Sequence, residues 1–176
     1  LGYNAGLYIY TPFQEVYPVG PYDPAKFAAA IDNLPAEPKG RTPLAEGIRA
    51  IGPVLEKLSG KTAVFIFSDG TFDQLTDFKL PEDYTQEFAE QHNVCFYMIS
   101  SATKWYAKKR LSDMAEANAC SRVIPIEAFI NNPEYMTGAL YTVRASAFVE
   151  TTTEARIAGL KAQDGNFDFN KSDIRP

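Results

Sequence analysis

A layered α/β fold is predicted: an open, doubly wound, mainly parallel sheet flanked by helices. Three observations predict it. Short β-rich apolar runs alternate with segments of helical period, the connections between them are short, and Ala63 to Phe67 and Val94 to Ile99 are uninterrupted apolar runs of strand length. Strand, helix and strand in close succession imply parallel pairing through right-handed crossovers.

The first strand is read at Gly6 to Phe13, on the run Leu7, Tyr8, Ile9, Tyr10, with Glu15 to Val19 a candidate second. Asp23 reads as the N-cap of a helix that starts with Pro24 and carries Phe27, Ala30, Ile31 and Leu34 on one face. A loop rich in Pro, Glu and Gly leads through Lys39 to Arg41. Thr42 then reads as the N-cap of the clearest helix, with Pro43 at its first position and Leu44, Ile48, Ile51, Val54, Leu55 and Leu58 at helical spacing. Pro53 is a candidate kink, and Gly60 its end. Thr62 to Ser68 is a buried strand running straight into Asp69 and Gly70.

A loop to Leu80 precedes a helix over Pro81 to His92 with Tyr84, Phe88 and Ala89 inward. Val94 to Ser100 is another buried strand. Leu111, Met114, Ala115 and Ala119 mark the next helix, and Arg122 to Ile126 a short strand whose Pro125 implies a sheet edge. Asn132 and Pro133 open a last core helix, striped by Tyr135, Met136, Ala139, Leu140 and Val143. From Ser146 the pattern changes to that of a linker, and the chain holds no internal repeats.

The 176 residues suit one domain with an appendage, given roughly 150 residues per domain. A hydrophobic fraction of 45% supplies a real core and is too high for disorder. The 17 basic residues face 22 acidic ones, net −5, and no basic cluster exceeds Lys108, Lys109 and Arg110, which argues against a nucleic-acid partner. No apolar run approaches the roughly 18 residues of a membrane helix. Leu1 lies close before a strand-like run and nothing there reads as a signal peptide, so a processing site or a cut is expected.

Ligands of open parallel sheets bind outside the carboxyl ends of the strands, often at helix N-termini. Thr42, at a helix start, and Asp69, at a strand end, belong to that edge; one hydroxyl and one carboxylate suit a hard divalent cation such as Mg or Mn. Each also has an ordinary role, Thr before Pro as a cap and Asp before Gly as a tight turn. Together, Gly40 to Ile48 (Gly-Arg-Thr-Pro-Leu-Ala-Glu-Gly-Ile) and Val64 to Gly70 (Val-Phe-Ile-Phe-Ser-Asp-Gly) resemble the von Willebrand factor type A domain. The resemblance continues through Val94 to Ser100 and Arg122 to Ile126, over roughly residues 5 to 145.

That family binds its metal through an Asp-x-Ser-x-Ser motif after the first strand, a Thr beginning a later helix, and an Asp at a strand end. The resemblance assigns the second element to Thr42 and the third to Asp69. No Asp-x-Ser-x-Ser precedes Thr42; the first Asp is Asp23, at a helix start. The type A-like, Rossmann-like sheet is therefore expected to lack its first strand, and the metal site to be partial within this chain.

Asn166 to Pro176 (Asn-Phe-Asp-Phe-Asn-Lys-Ser-Asp-Ile-Arg-Pro) resembles the opening of the peptidoglycan-associated domain of the OmpA-like family. Residues 1–145 are then a type A-like domain incomplete at its N-terminus, 146–165 a linker and 166–176 the start of an OmpA-like domain. The two resemblances imply a non-enzymatic binding module of the periplasm or outer membrane of a Gram-negative bacterium, with a protein partner and a tether to peptidoglycan. A metal-free structural or assembly subunit of the envelope is the alternative. A sharper idea returns Asp168, Asn170 and Ser172, spaced as Asp-x-Ser-x-Ser, to complete the site.

Phe67 to Thr71 also resembles the Asp-x-Asp-Gly-Thr loop of haloacid dehalogenase-type phosphatases, but Phe67 stands where the nucleophilic Asp belongs, so at most a degenerate phosphatase is implied. There is no Gly-x-Ser-x-Gly, Walker loop or Rossmann glycine fingerprint. His92, the only histidine, reads as a dipole partner at a helix end. Cys95 begins one strand and Cys120 precedes the next, so both belong to the amino-terminal edge of the sheet; a disulfide or two buried thiols would fit there. Tyr3, Tyr8, Tyr10, Tyr17, Tyr22 and Trp105 are core residues or an exposed partner surface.

Overall fold

The computed structural model describes residues 2–10, 12–36, 42–73 and 79–132. The chain opens with strands β1 (Asn4–Tyr10) and β2 (Phe13–Pro21) and helices α1 (Pro24–Asp32) and α2 (Leu44–Leu55). Strands and helices then alternate as β3 (Thr62–Ser68), α3 (Pro81–Gln91), β4 (Val94–Ser100), α4 (Trp105–Ala115), β5 (Arg122–Pro125) and α5 (Ile126–Asn131). The fold is mixed α/β, with a three-stranded parallel sheet flanked by helices. The helix expected over Tyr135 to Val143, the linker and the segment from Asn166 lie outside the described residues.

The parallel sheet has the order β3-β4-β5, with β3 and β4 in register from Thr62↔Val94 to Ser68↔Ser100. Pro125 pairs opposite Ser100 on the edge strand, where its missing N–H costs no ladder bond. Val94 to Ile99 are all buried, as befits a strand covered on both faces. On one face Val94, Phe96 and Met98 join Leu44, Ile48 and Leu55 of α2, Phe88 of α3, and Leu111 and Met114 of α4 in one apolar cluster. On the other face Phe65 stacks on Tyr97 at 5.1 Å, and Phe129 of α5 packs edge-on against Phe67 at 5.6 Å. The buried Thr85 hydroxyl lies 2.9 Å from the Glu82 carbonyl and 3.1 Å from that of Met114, tying α3 to α4.

The N-terminal part corrects the expectation of a single, mainly parallel sheet. Strands β1 and β2 form an antiparallel hairpin, paired from Asn4↔Pro21 to Tyr10↔Phe13, and among the described residues this is a separate two-stranded sheet. A connection as short as residues 11–12 cannot carry a parallel crossover. The first strand therefore ends at Tyr10 rather than Phe13. Helix α1 follows as expected, the Asp23 carboxylate accepting the N–H groups of Ala25 and Lys26 at 3.1 Å. It buries no residue: Phe27 packs on Tyr17 and Tyr22, Ile31, expected inward, is 48% exposed, and Leu34, expected on the same face, falls beyond the end of the helix.

Helix α2 passes through Pro53, which lies exposed in its last turn, and stops at Leu55, short of Leu58 and Gly60. The strand expected to reach Ile126 ends at Pro125, and Ile126 begins α5. Ala119 falls beyond α4, in the turn that leads to β5.

Cys95 and Cys120 form a disulfide, with their Cα atoms 5.4 Å apart. Asn118 supports it: its Nδ2 donates to the Val94 carbonyl at 2.7 Å, while its Oδ1 accepts the Ser121 N–H at 3.0 Å and hydroxyl at 2.8 Å. Ser121 Oγ in turn accepts the Phe96 N–H at 2.8 Å. The amino-terminal edge of the sheet is thus closed covalently and by a polar network. Because the bridge spans 25 residues, reduction or the double substitution Cys95→Ala, Cys120→Ala is expected to lower stability by about 3 kcal/mol in urea unfolding. Identical unfolding curves with and without reductant would contradict the bridge.

Candidate functional site

The carboxyl ends of β3 and β4 lie level because their ladder is unshifted, so Ser68 pairs with Ser100. Ser68 is buried, and its Oγ accepts the Gly70 N–H at 3.0 Å. Its carbonyl accepts the Ser101 N–H at 3.1 Å, joining the two loops that leave the strands. Gly70 has φ +73°, in the left-handed region, and a Cβ there would lie 2.5 Å from the Ala107 carbonyl oxygen. Glycine is therefore required both by the turn and by the close approach of α4.

Asp69 follows as an exposed carboxylate. Its Oδ1 accepts the Thr71 N–H at 2.9 Å, and the Thr71 hydroxyl lies 2.7 and 2.8 Å from the two carboxylate oxygens. This is the Asx-turn geometry that Asp before Gly favours. Two residues on, Asp73 turns back toward α2. Its Oδ2 accepts the Thr42 N–H at 3.1 Å, and its own N–H donates to the Thr42 carbonyl at 3.0 Å.

Thr42 is not the cap of α2. Pro43 occupies that position without a side-chain cap bond, and Thr42 stands one residue outside, clasped by Asp73. The Thr-Pro signal marks the helix start, but Asp73 holds the Thr42 backbone itself, and the Thr42 carbonyl also accepts the Leu44 N–H at 2.9 Å. The clasp brings Thr42 to the loop that carries Asp69, and no direct Thr42–Asp69 hydrogen bond occurs among the described residues.

Tyr10 completes the edge. Its hydroxyl lies near Ser68 and the Asp69 carboxylate, while Gly47 of α2 sits so tightly on the Tyr10 side chain that a Cβ would come within 2.4 Å of it. Burial pushes the Tyr10 hydroxyl above the usual tyrosine range; the neighbouring Ser68 side chain opposes this and Asp69 reinforces it. The sequence alone assigned Ser68 and Asp73 no role in the site, placed Thr71 only in the phosphatase-like loop and marked Tyr10 only as a core or partner-surface aromatic. Asp69-x-Thr71-x-Asp73 was a visible alternation of oxygen-bearing side chains, but the Asp73–Thr42 bonds span 31 residues and leave no local trace.

The oxygens of Thr42, Asp69 and Asp73 suit a hard cation in kind. They fall short in number: such ions take about six or more oxygen ligands. Among the described residues no group of three or more His, Cys, Asp or Glu is gathered as a metal would need. The possible disulfide residues, Cys95 and Cys120, lie at the opposite edge and take no part.

The basic triplet is divided, Lys109 pairing with Asp113 at 2.8 Å and Arg110 with Glu82 while lying over the Phe72 ring. Among the described residues no helix is long and apolar enough to cross a membrane. No protein-family model matches the chain, and no curated protein matches it.

Gly70→Ala is expected to destabilise the protein by about 2 kcal/mol or more, through the left-handed backbone and the Ala107 clash. Gly60→Ala, with open space at its Cβ, should change stability by less than about 0.5 kcal/mol. Urea unfolding of both variants checks this, and equal effects would contradict the packing described.

Proposed function

We propose that the chain forms most of a type A-like domain and acts as a non-enzymatic recognition module, its first strand supplied by a segment outside the described residues. One observation carries this reading. Among the described residues β1 pairs only with β2 and β3 only with β4, so each keeps an open edge, while the Tyr10 side chain at the end of one lies close to Ser68 at the end of the other. Two strand spacings, roughly 10 Å, are a span that a tyrosine and a serine side chain bridge together. One strand in that interval turns two small sheets into a single one in the order β2-β1-new-β3-β4-β5. It also relieves the liability of an apolar edge strand, on which Phe67 is 54% exposed.

Laid parallel to β3, such a strand ends beside Thr42 and Asp69, where an Asp-x-Ser-x-Ser would add the missing oxygens. A divalent cation held there, Mg or Mn, supplies positive charge that attracts a carboxylate of a partner protein. The disulfide suits an oxidising compartment. With the OmpA-like resemblance after Asn166, it supports a periplasmic or outer-membrane protein tethered to peptidoglycan through a following domain.

Calorimetric titration with MgCl2 and MnCl2 tests the reading on the 176-residue chain and on one extended upstream along its natural sequence. The longer chain is expected to bind, with affinity reduced at least about tenfold by Asp69→Asn. Binding by neither chain would overturn the cation reading and favour a metal-free structural or assembly subunit.

A further inference from the structure

Helix α4 begins with an aromatic pair that the core does not use. Trp105 is 77% exposed and Tyr106 47%, their rings edge-on at 6.0 Å, with Lys104 Nζ 5.7 Å from the centre of the Tyr106 ring. An exposed Trp beside an exposed Tyr is the composition of an interface centre rather than of an ordinary surface. Next to it, between α4 and the end of β5, is a cavity of about 650 Å³. It is lined by Ser100, Ser101, Thr103 and Ser112, by Lys108 and Lys109, and by Val123.

The chemistry of this wall is donor-rich and cationic. Lys109 is neutralised by Asp113, but Lys108 has no side-chain partner among the described residues, and with Lys104 one turn earlier it makes a positive patch on a chain of net charge −5. Glu127 is the one acidic residue on the cavity wall among the described residues. Hydroxyls and an unpaired ammonium bind carboxylate oxygens by charge-assisted hydrogen bonds, and the adjoining indole and phenol rings offer a platform for apolar side chains.

We propose that this surface docks an acidic, aromatic-containing segment of a partner protein, its carboxylates at Lys108 and the cavity hydroxyls and its apolar side chains on Trp105 and Tyr106. It rests on the recognition reading above and names the partner's chemistry, but it needs no cation. The surface borders the Asp69 loop, since Gly70 abuts Ala107 two residues after Trp105.

Trp105 is the only tryptophan, so its fluorescence reports occupancy directly. The 176-residue chain in EDTA is titrated to millimolar concentration with an acetylated, amidated Asp-Phe-Glu-Asp-Phe-Glu peptide, its Asn/Gln counterpart and an oligomer of N-acetylglucosamine. The acidic peptide is expected to shift the emission to the blue saturably. Lys108→Glu, with an unchanged circular dichroism spectrum, should weaken binding by roughly tenfold, as should about 0.5 M salt. No saturable shift, equal binding of the neutral peptide or indifference to Lys108→Glu would overturn the proposal, as would a response to the sugar alone. Peptide binding that requires magnesium and is lost in Asp69→Asn would overturn it while sustaining the cation reading.

Discussion

The parallel ladder between β3 and β4 is the constraint on which the rest of the structure depends. Seven pairs run from Thr62↔Val94 to Ser68↔Ser100 without a shift. A slip of one residue would exchange the faces of β3, turning Val64 and Ile66 away from the apolar cluster they pack against and Phe65 away from Tyr97. The same register ends both strands level, so that two Ser-containing loops leave together and are joined by the bond from Ser101 to Ser68. Packing and site geometry therefore have one origin.

The two edges of the parallel sheet are built differently. At the amino-terminal edge the disulfide, Asn118 and Ser121 tie the turn before β5 to the start of β4, leaving little freedom. At the carboxyl edge the bonds are polar and mostly exposed: Asp69 to Thr71, and Asp73 to the Thr42 backbone. Exposed hydrogen bonds of this kind exchange with water or ligand at small net cost, each worth about 1 kcal/mol. A rigid edge holds the strands while the opposite one keeps carboxylates and hydroxyls available. That division suits a module that recognises a partner.

Much of this was legible in the residues themselves. Continuous apolar runs marked β3 and β4 to their observed ends, and Asp23 before Pro24 marked the start of α1, because in each case the signal and its physical cause are local. The hairpin was harder. Its tip has no Gly or Asn to announce a turn, and the strand was read through Pro12 to Phe13, although that proline lies where pairing breaks after Tyr10. Helix α5 is too short to show a period. Thr42 was located at the right edge for a reason only partly right, since Pro43 takes the cap position and the Thr42 backbone is clasped by Asp73. The disulfide was legible as a possibility from topology, and the structure chose it over two thiols.

The proposed module requires a strand between β1 and β3. Residue-level amide hydrogen exchange tests it most directly, comparing the 176-residue chain with one extended upstream along its natural sequence. In the shorter chain β4 should be protected throughout, while the alternate amides of β3 that point away from β4, and those of β1 that point away from β2, exchange rapidly. In the longer chain those same amides should become protected together. Rapid exchange that persists at both edges in the longer chain would rule out a strand between β1 and β3.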